Sequence, residues 1–161
     1  MASAPRSFEP PSASVSPIGG AWQECVSGVK VGAMDPKPVL YVLSLIALLQ
    51  FKHFICDGPL QTLAMVGQKS VYGAWLGILH SALHGLGTGL VLTFFSKSIV
   101  MLVSLAFADF VVHYHIDYFK ENIIKYFRWN FKDAKFWWAL NADQALHQIS
   151  YLGLAAILLT A

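Results

Sequence analysis

Residues 71–95 read VYGAWLGILHSALHGLGTGLVLTFF. The stretch holds no Asp, Glu, Lys or Arg, and it exceeds the ~20 apolar residues a helix needs to cross a bilayer. It nevertheless carries His80 and His84, one helical turn apart. Its glycines 73, 77, 85, 87 and 89 would weaken a helix in water. In lipid, small residues let helices approach closely, and Gly73-xxx-Gly77 and Gly85-xxx-Gly89 both have the four-residue spacing. The stretch reads as a membrane span with one polar face.

Segments 39–51, 98–112 and 145–161 are nearly as free of charge. The chain of 161 residues is one domain's worth, 56% hydrophobic and only 12% charged, against roughly 25% charged in a soluble domain. Because the shortfall is concentrated in these segments, it indicates spans rather than an oversized soluble core. A formal charge of +2 without a basic stripe excludes a nucleic-acid partner. Cys25 and Cys56 are too few for a disulfide framework, and Cys56, at a helix end, reads as a small buried thiol.

The expected fold is all-α, a polytopic membrane four-helix bundle occupying residues 37–161. Residues 1–36, rich in Ala, Ser, Pro and Gly, read as a disordered tail, with Met34 as an alternative start. Helix one is predicted from Pro38 to Asp57, stopped by Gly58-Pro59, and a connector covers residues 60–70. Helix two runs from Val71 to Phe95, Ser96-Lys97-Ser98 makes a tight turn, helix three spans Ile99 to Phe119, and helix four runs from Asn141 to Leu159. Between the last two, residues 118–138 interleave Lys120, Lys125, Arg128, Lys132 and Lys135 with many aromatics. That mixture suits the headgroup zone of a bilayer and predicts an amphipathic interfacial segment. Antiparallel order places Lys52, Lys69 and these five basic residues on one side. Arg6, Lys30, Lys37 and Lys97 fall on the other. The bias puts both long connectors in the cytoplasm.

Ionisable residues inside membrane helices are costly and mark functional sites. Here they come in pairs four residues apart: His53 and Asp57, His80 and His84, His113 and Asp117, Asp143 and His147. That spacing places both members of a pair on one helix face, and four such faces can meet in a bundle core, where metal sites are built. All eight residues are therefore candidate ligands. The cofactor expected is a divalent metal, one or two ions, zinc first and iron, manganese, nickel or cobalt next. The site lies toward the cytoplasmic side, with His80 and His84 deeper than the rest if helix two begins at Val71. Asp57 or Asp143 is the candidate general base, Lys120 a candidate contact for an anionic group, and Gln144 a group to position substrate or water. Asp109 is expected to support the site rather than ligate, and His115, on another face, to be structural or interfacial. A purely structural polar network is the plain alternative.

The ordered set His53-x-x-x-Asp57-x-x-Leu60-Gln61, Lys69, His80-x-x-x-His84, His113-x-x-Ile116-Asp117-x-x-Lys120 and Asp143-Gln144-x-x-His147 resembles the small bacterial and phage membrane proteins grouped as domain of unknown function DUF3307. The resemblance covers about residues 40–159. It is similar in style to inner-membrane proteins described as membrane-bound metal-dependent hydrolases, and so implies a bacterial inner-membrane location and hydrolytic chemistry. The expectation is a metal-dependent hydrolase acting on a lipid-linked or amphiphilic substrate, a phosphate-bearing one included, with membrane lipids as partners. A non-enzymatic metal or proton handler and a bis-His haem protein are the competing readings.

Overall fold

A computed structural model describes residues 36–96 and 98–160. The expected N-terminal tail, apart from Pro36, lies outside the described residues, as do Met34 and Lys97 of the predicted turn. The described chain is all-helical: α1 (Pro36–Asp57), α2 (Leu63–Gln68), α3 (Trp75–Leu92), α4 (Ile99–Phe127) and α5 (Ala134–Thr160). Helices α1, α3 and α4 are long and apolar enough to cross a membrane. α5 is long enough, but Asp143, Gln144, His147 and Gln148 make its first half too polar to qualify on hydropathy.

Local chemistry sets the boundaries. Gly58 closes α1, its N–H donating to Phe54 O at 2.9 Å. The connector after it contains a helix that was not expected, α2, started by Thr62, whose hydroxyl accepts from Met65 N at 3.2 Å. The predicted start of helix two at Val71 is too early. Gly73 takes a positive φ of 77° and donates its N–H to the Tyr114 hydroxyl at 2.6 Å, so α3 begins only at Trp75. Gly73-xxx-Gly77 is thus not a helix-packing pair. The later start also removes the depth mismatch, since His80 lies about 7–8 Å along α3 at 1.5 Å per residue.

Helix α4 continues past Phe119 to Phe127, and α5 begins before Asn141, at Ala134. The basic and aromatic stretch is therefore two helix ends and a tight turn. Arg128 sits at φ 55°, in the left-handed region, and Trp129 N closes the helix on Ile124 O at 3.0 Å. In the turn, Asp133 Oδ2 accepts from both the backbone N and Nδ2 of Asn130 at 2.8 Å. At 29 residues α4 is about 43 Å long, more than the ~30 Å of bilayer hydrocarbon. Its last turns, with exposed Tyr126 and Phe127, then fall where headgroups lie.

α3 packs on α1, α2 and α4, and α5 on α1 and α4. Gly85 lets α3 meet the main chain of α4: a Cβ there would meet Ala106 O at 2.8 Å and Phe110 Cβ at 3.0 Å. An apolar cluster of Leu45, Leu49, Leu92, Leu105 and Leu154 fills one half of the bundle. Outward faces are apolar too, with Phe51, Phe54, Leu86, Leu90, Phe107, Ile149 and Leu152 all exposed. In the other half the interior is polar. This inverted distribution matches lipid as the surrounding solvent.

Gly85→Ala should cost about 1–3 kcal/mol by overpacking the α3–α4 contact. Gly153→Ala, in mid-α5 with nothing within 4 Å of the new methyl, should instead stabilise by about 1 kcal/mol. Thermal melting of the two variants in the same detergent checks the opposite signs.

Candidate metal centre

Four-residue steps along α3, α4 and α5 stack the interior into layers, with Lys52, His53 and Asp57 of α1 facing them. Above the apolar cluster, Lys52 of α1, Thr88 of α3, Asp109 of α4 and Tyr151 of α5 share one level. Lys52 Nζ lies 2.9 Å from Asp109 Oδ2 and donates to the Tyr151 hydroxyl at 3.0 Å, and Thr88 Oγ1 donates to Asp109 Oδ2 at 2.6 Å. One turn on come His53, His84, His113 and His147. The His113 ring stacks on His84 with centroids 3.5 Å apart and on His147 at 4.1 Å. The last layer holds Asp57, His80, Asp117 and Asp143, flanked by Lys69 and Lys120.

All eight predicted ligand residues are thus in one polar core, seven of them buried and Asp57 partly exposed. Asp57 is its hub. Its Oδ1 lies 3.1 Å from Nε2 of both His80 and His84 and 4.0 Å from Nε2 of His113, and the Nε2 atoms of His80 and His113 are 3.2 Å apart. Ligand atoms about 2.0–2.1 Å from a tetrahedral ion would lie roughly 3.3 Å from one another. Asp57, His80, His84 and His113 come close to that, with one ligand atom from each within 4.8 Å of the others. His113, Asp117 and His147 form a second such group that shares His113. In that group Asp117 Oδ2 already faces Lys69 Nζ at 2.8 Å, and Asp117 Oδ1 lies 3.7 Å from Lys120 Nζ.

The charges sort the carboxylates. Asp109 has Lys52, and Asp117 has Lys69. Asp143 has Lys120 at 3.6 Å, and that ammonium also meets Glu121 at 3.0 Å. Among the described residues, the ion-pair partners of Asp57 are imidazoles alone. A buried carboxylate needs compensation by a cation or by hydrogen bonds, and the nitrogens around Asp57 form the kind of nest that a metal ion occupies. Away from Asp57, Nδ1 of His80, His113 and His147 and Nε2 of His147 are buried without a hydrogen-bond partner.

His53 belongs to neither close-set ligand group; like His84, whose Nδ1 lies 3.5 Å from Lys52 Nζ and Nε2 3.1 Å from Asp57 Oδ1, it has protein partners at both nitrogens. Nε2 lies 3.0 Å from Asp57 Oδ2 and 3.1 Å from Gln144 Oε1, and Nδ1 lies 2.8 Å from the Tyr151 hydroxyl. With Lys52 donating to Tyr151, Tyr151 to His53 Nδ1 and His53 Nε2–H to Asp57, every donor has an acceptor. In this arrangement His53 orients the carboxylate and is not required as a ligand. Lys52, Thr88, Tyr151 and Lys69 also belong to the core, none of them among the site residues expected from the sequence. Lys52 and Lys69 were read as cytoplasmic flanking charges, but both are buried and paired. A lysine beside His53 inside an apolar run was the available signal. Asp109 supports the network as expected, and His115 stands apart, its Nδ1 2.7 Å from Val111 O and its ring against Tyr72.

The core opens to a cleft of 330 Å³ lined by Gln50, His53, Asp57, Gln144 and Gln148. Water or a polar group entering there can reach Asp57 and His53. The protein is thus an all-helical bundle with a buried His–Asp centre. Residues 45–160 match the family described as Protein of unknown function (DUF3307), and the chain belongs to that family. No curated protein and no solved structure gives a significant match.

Lys52→Met should cost about 3–5 kcal/mol, because it leaves Asp109 buried without its counter-charge. Adding Asp109→Leu should recover much of that loss, and a double-mutant cycle by thermal melting measures the recovery.

Proposed function

We propose that this is an integral membrane protein, with α5 as its fourth span and both long connectors in the cytoplasm, that binds one divalent metal ion and hydrolyses an amphiphilic or lipid-linked substrate. The observation that carries the metal reading is the isolation of Asp57 among imidazoles while the buried acids of the described residues, Asp109, Asp117 and Asp143, each face a lysine. His80, His84, His113 and Asp57 would hold the ion, and a nitrogen-rich tetrahedral set favours zinc. A bound ion would polarise the scissile bond and activate a water.

The remaining groups have complementary tasks. His53 and Tyr151 fix the Asp57 carboxylate. Gln144, at the cleft wall beside Asp143, positions the polar part of the substrate, and Asp143 acts as general base, with Lys120 and His147 holding it in place. Lys120 meets an anionic group only by exchanging part of its contact with Asp143, Asp117 and Glu121. Imidazolium in place of a metal would neutralise Asp57 equally well, so a proton-handling protein is the second reading.

Elemental analysis of detergent-purified protein should find one ion per chain, lost in His113→Ala and Asp57→Asn. His53→Gln should keep the ion with affinity weaker by about 10–100-fold. Hydrolysis of phosphate-bearing amphiphiles should disappear with the ion. Metal-free native protein would sink the metal reading, and metal without turnover on phospholipid and isoprenoid-phosphate panels would sink the hydrolase.

A further inference from the structure

Two apolar grooves of similar size run along α4, and their surroundings differ. The groove against α3, 590 Å³ in volume, is lined by residues such as Leu86, Leu90, Val103 and Phe107, with no charged residue in its walls. The groove against α5, of 600 Å³, is walled by Ile116, Ile123, Phe127, Trp138 and Leu146, with Lys120 and Asp143 on its inner side. Both volumes fall within the roughly 300–1,000 Å³ of small-molecule sites. Only the second runs into a basic cleft, of 690 Å³, at the α4–α5 turn. The two cavities share Phe127, Trp129 and Lys135 in their walls, so they adjoin at the turn.

The cleft brings together Arg128, Lys132 and Lys135 against a single acid, Asp133. The Asp133 carboxylate is already taken up by Asn130. Three exposed cations therefore frame the mouth of an apolar channel, at the end of the bundle where the exposed aromatics Tyr126, Phe131 and Trp138 gather. Charge and apolarity are arranged in the order of a phospholipid, with phosphate at the turn and a chain running toward Ile116 and Leu146.

We propose that the α4–α5 hairpin is a binding site for one anionic phospholipid, its phosphate on Arg128, Lys132 and Lys135 and an acyl chain in the groove beneath. A zwitterionic lipid offers the same chain but no net charge, so the site should discriminate by headgroup. This inference does not depend on the metal centre, and it holds whether or not the protein is a hydrolase.

Trp129 and Trp138 line the groove and provide the readout. The full chain is placed in phosphatidylcholine vesicles doped with phosphatidylglycerol or phosphatidylcholine carrying brominated chains, which quench tryptophan on contact. Per mole, brominated phosphatidylglycerol should quench several-fold more than brominated phosphatidylcholine. Arg128→Gln/Lys132→Gln/Lys135→Gln should abolish the difference, and Trp129→Phe/Trp138→Phe should remove the selective part of the signal. Equal quenching by both lipids in the native chain overturns the proposal, as does a preference that survives the triple substitution. Displacement of the lipid by excess inorganic phosphate alone also overturns it, by making the cleft a free-anion site. If the triple variant does not fold, Lys135→Gln alone should cut the preference by half or more, and no change on that substitution is equally fatal.

Discussion

A carboxylate at the end of a membrane helix, with only imidazoles for company, organises the molecule. Asp57 reaches His80 and His84 on α3 and His113 on α4, while His53 on its own helix steadies it from behind. To bring these atoms within about a hydrogen bond of one another, three helices must hold a fixed rotation and a fixed height. α5 then closes the ring with His147 stacked on His113. The layered interior follows from that requirement, because a helix set correctly for one residue is set correctly for those four before and four after it.

The energetics of such an interior are unlike those of a soluble core. Each buried lysine and its acid cost several kcal/mol of desolvation and regain it only through close pairing and further hydrogen bonds. Lys52 meets this condition through Asp109 and Tyr151, and Lys69 through Asp117 and Gln61. Pairs of this kind add little net stability but penalise any other helix register heavily, since a shift by one residue would leave several charges unpaired at once. The apolar cluster of Leu45, Leu49, Leu92 and Leu154 supplies the packing that tolerates this expense.

Much of this was legible in the sequence because a span is mostly apolar, so four polar pairs at helical spacing stand out. The eight residues, the all-helical class and the supporting place of Asp109 were readable for that reason. Helix limits were less so. The end of α4 at Phe127 depends on Arg128 adopting a left-handed conformation that glycine or asparagine would have signalled and arginine does not. The start of α3 depends on a tertiary hydrogen bond from Gly73 to Tyr114, which local sequence does not contain. The inward pairing of Lys52 and Lys69 was not legible, because a lysine near a span end usually snorkels to the interface, whereas these two turn to acids on α4.

The glycines of α3 have a consequence for tolerance to change. Gly85 meets the main chain of α4 directly, and a methyl at Gly87 would collide with the Lys52 stem of α1 at 2.7 Å. The gap toward α4 is thus set by a main-chain oxygen, and the gap toward α1 by the Lys52 side chain, which its ion pair with Asp109 holds in place. A pocket built on such contacts has little slack. On the α4 side its dimensions are inherited from main-chain geometry, and widening it there would mean moving a whole helix.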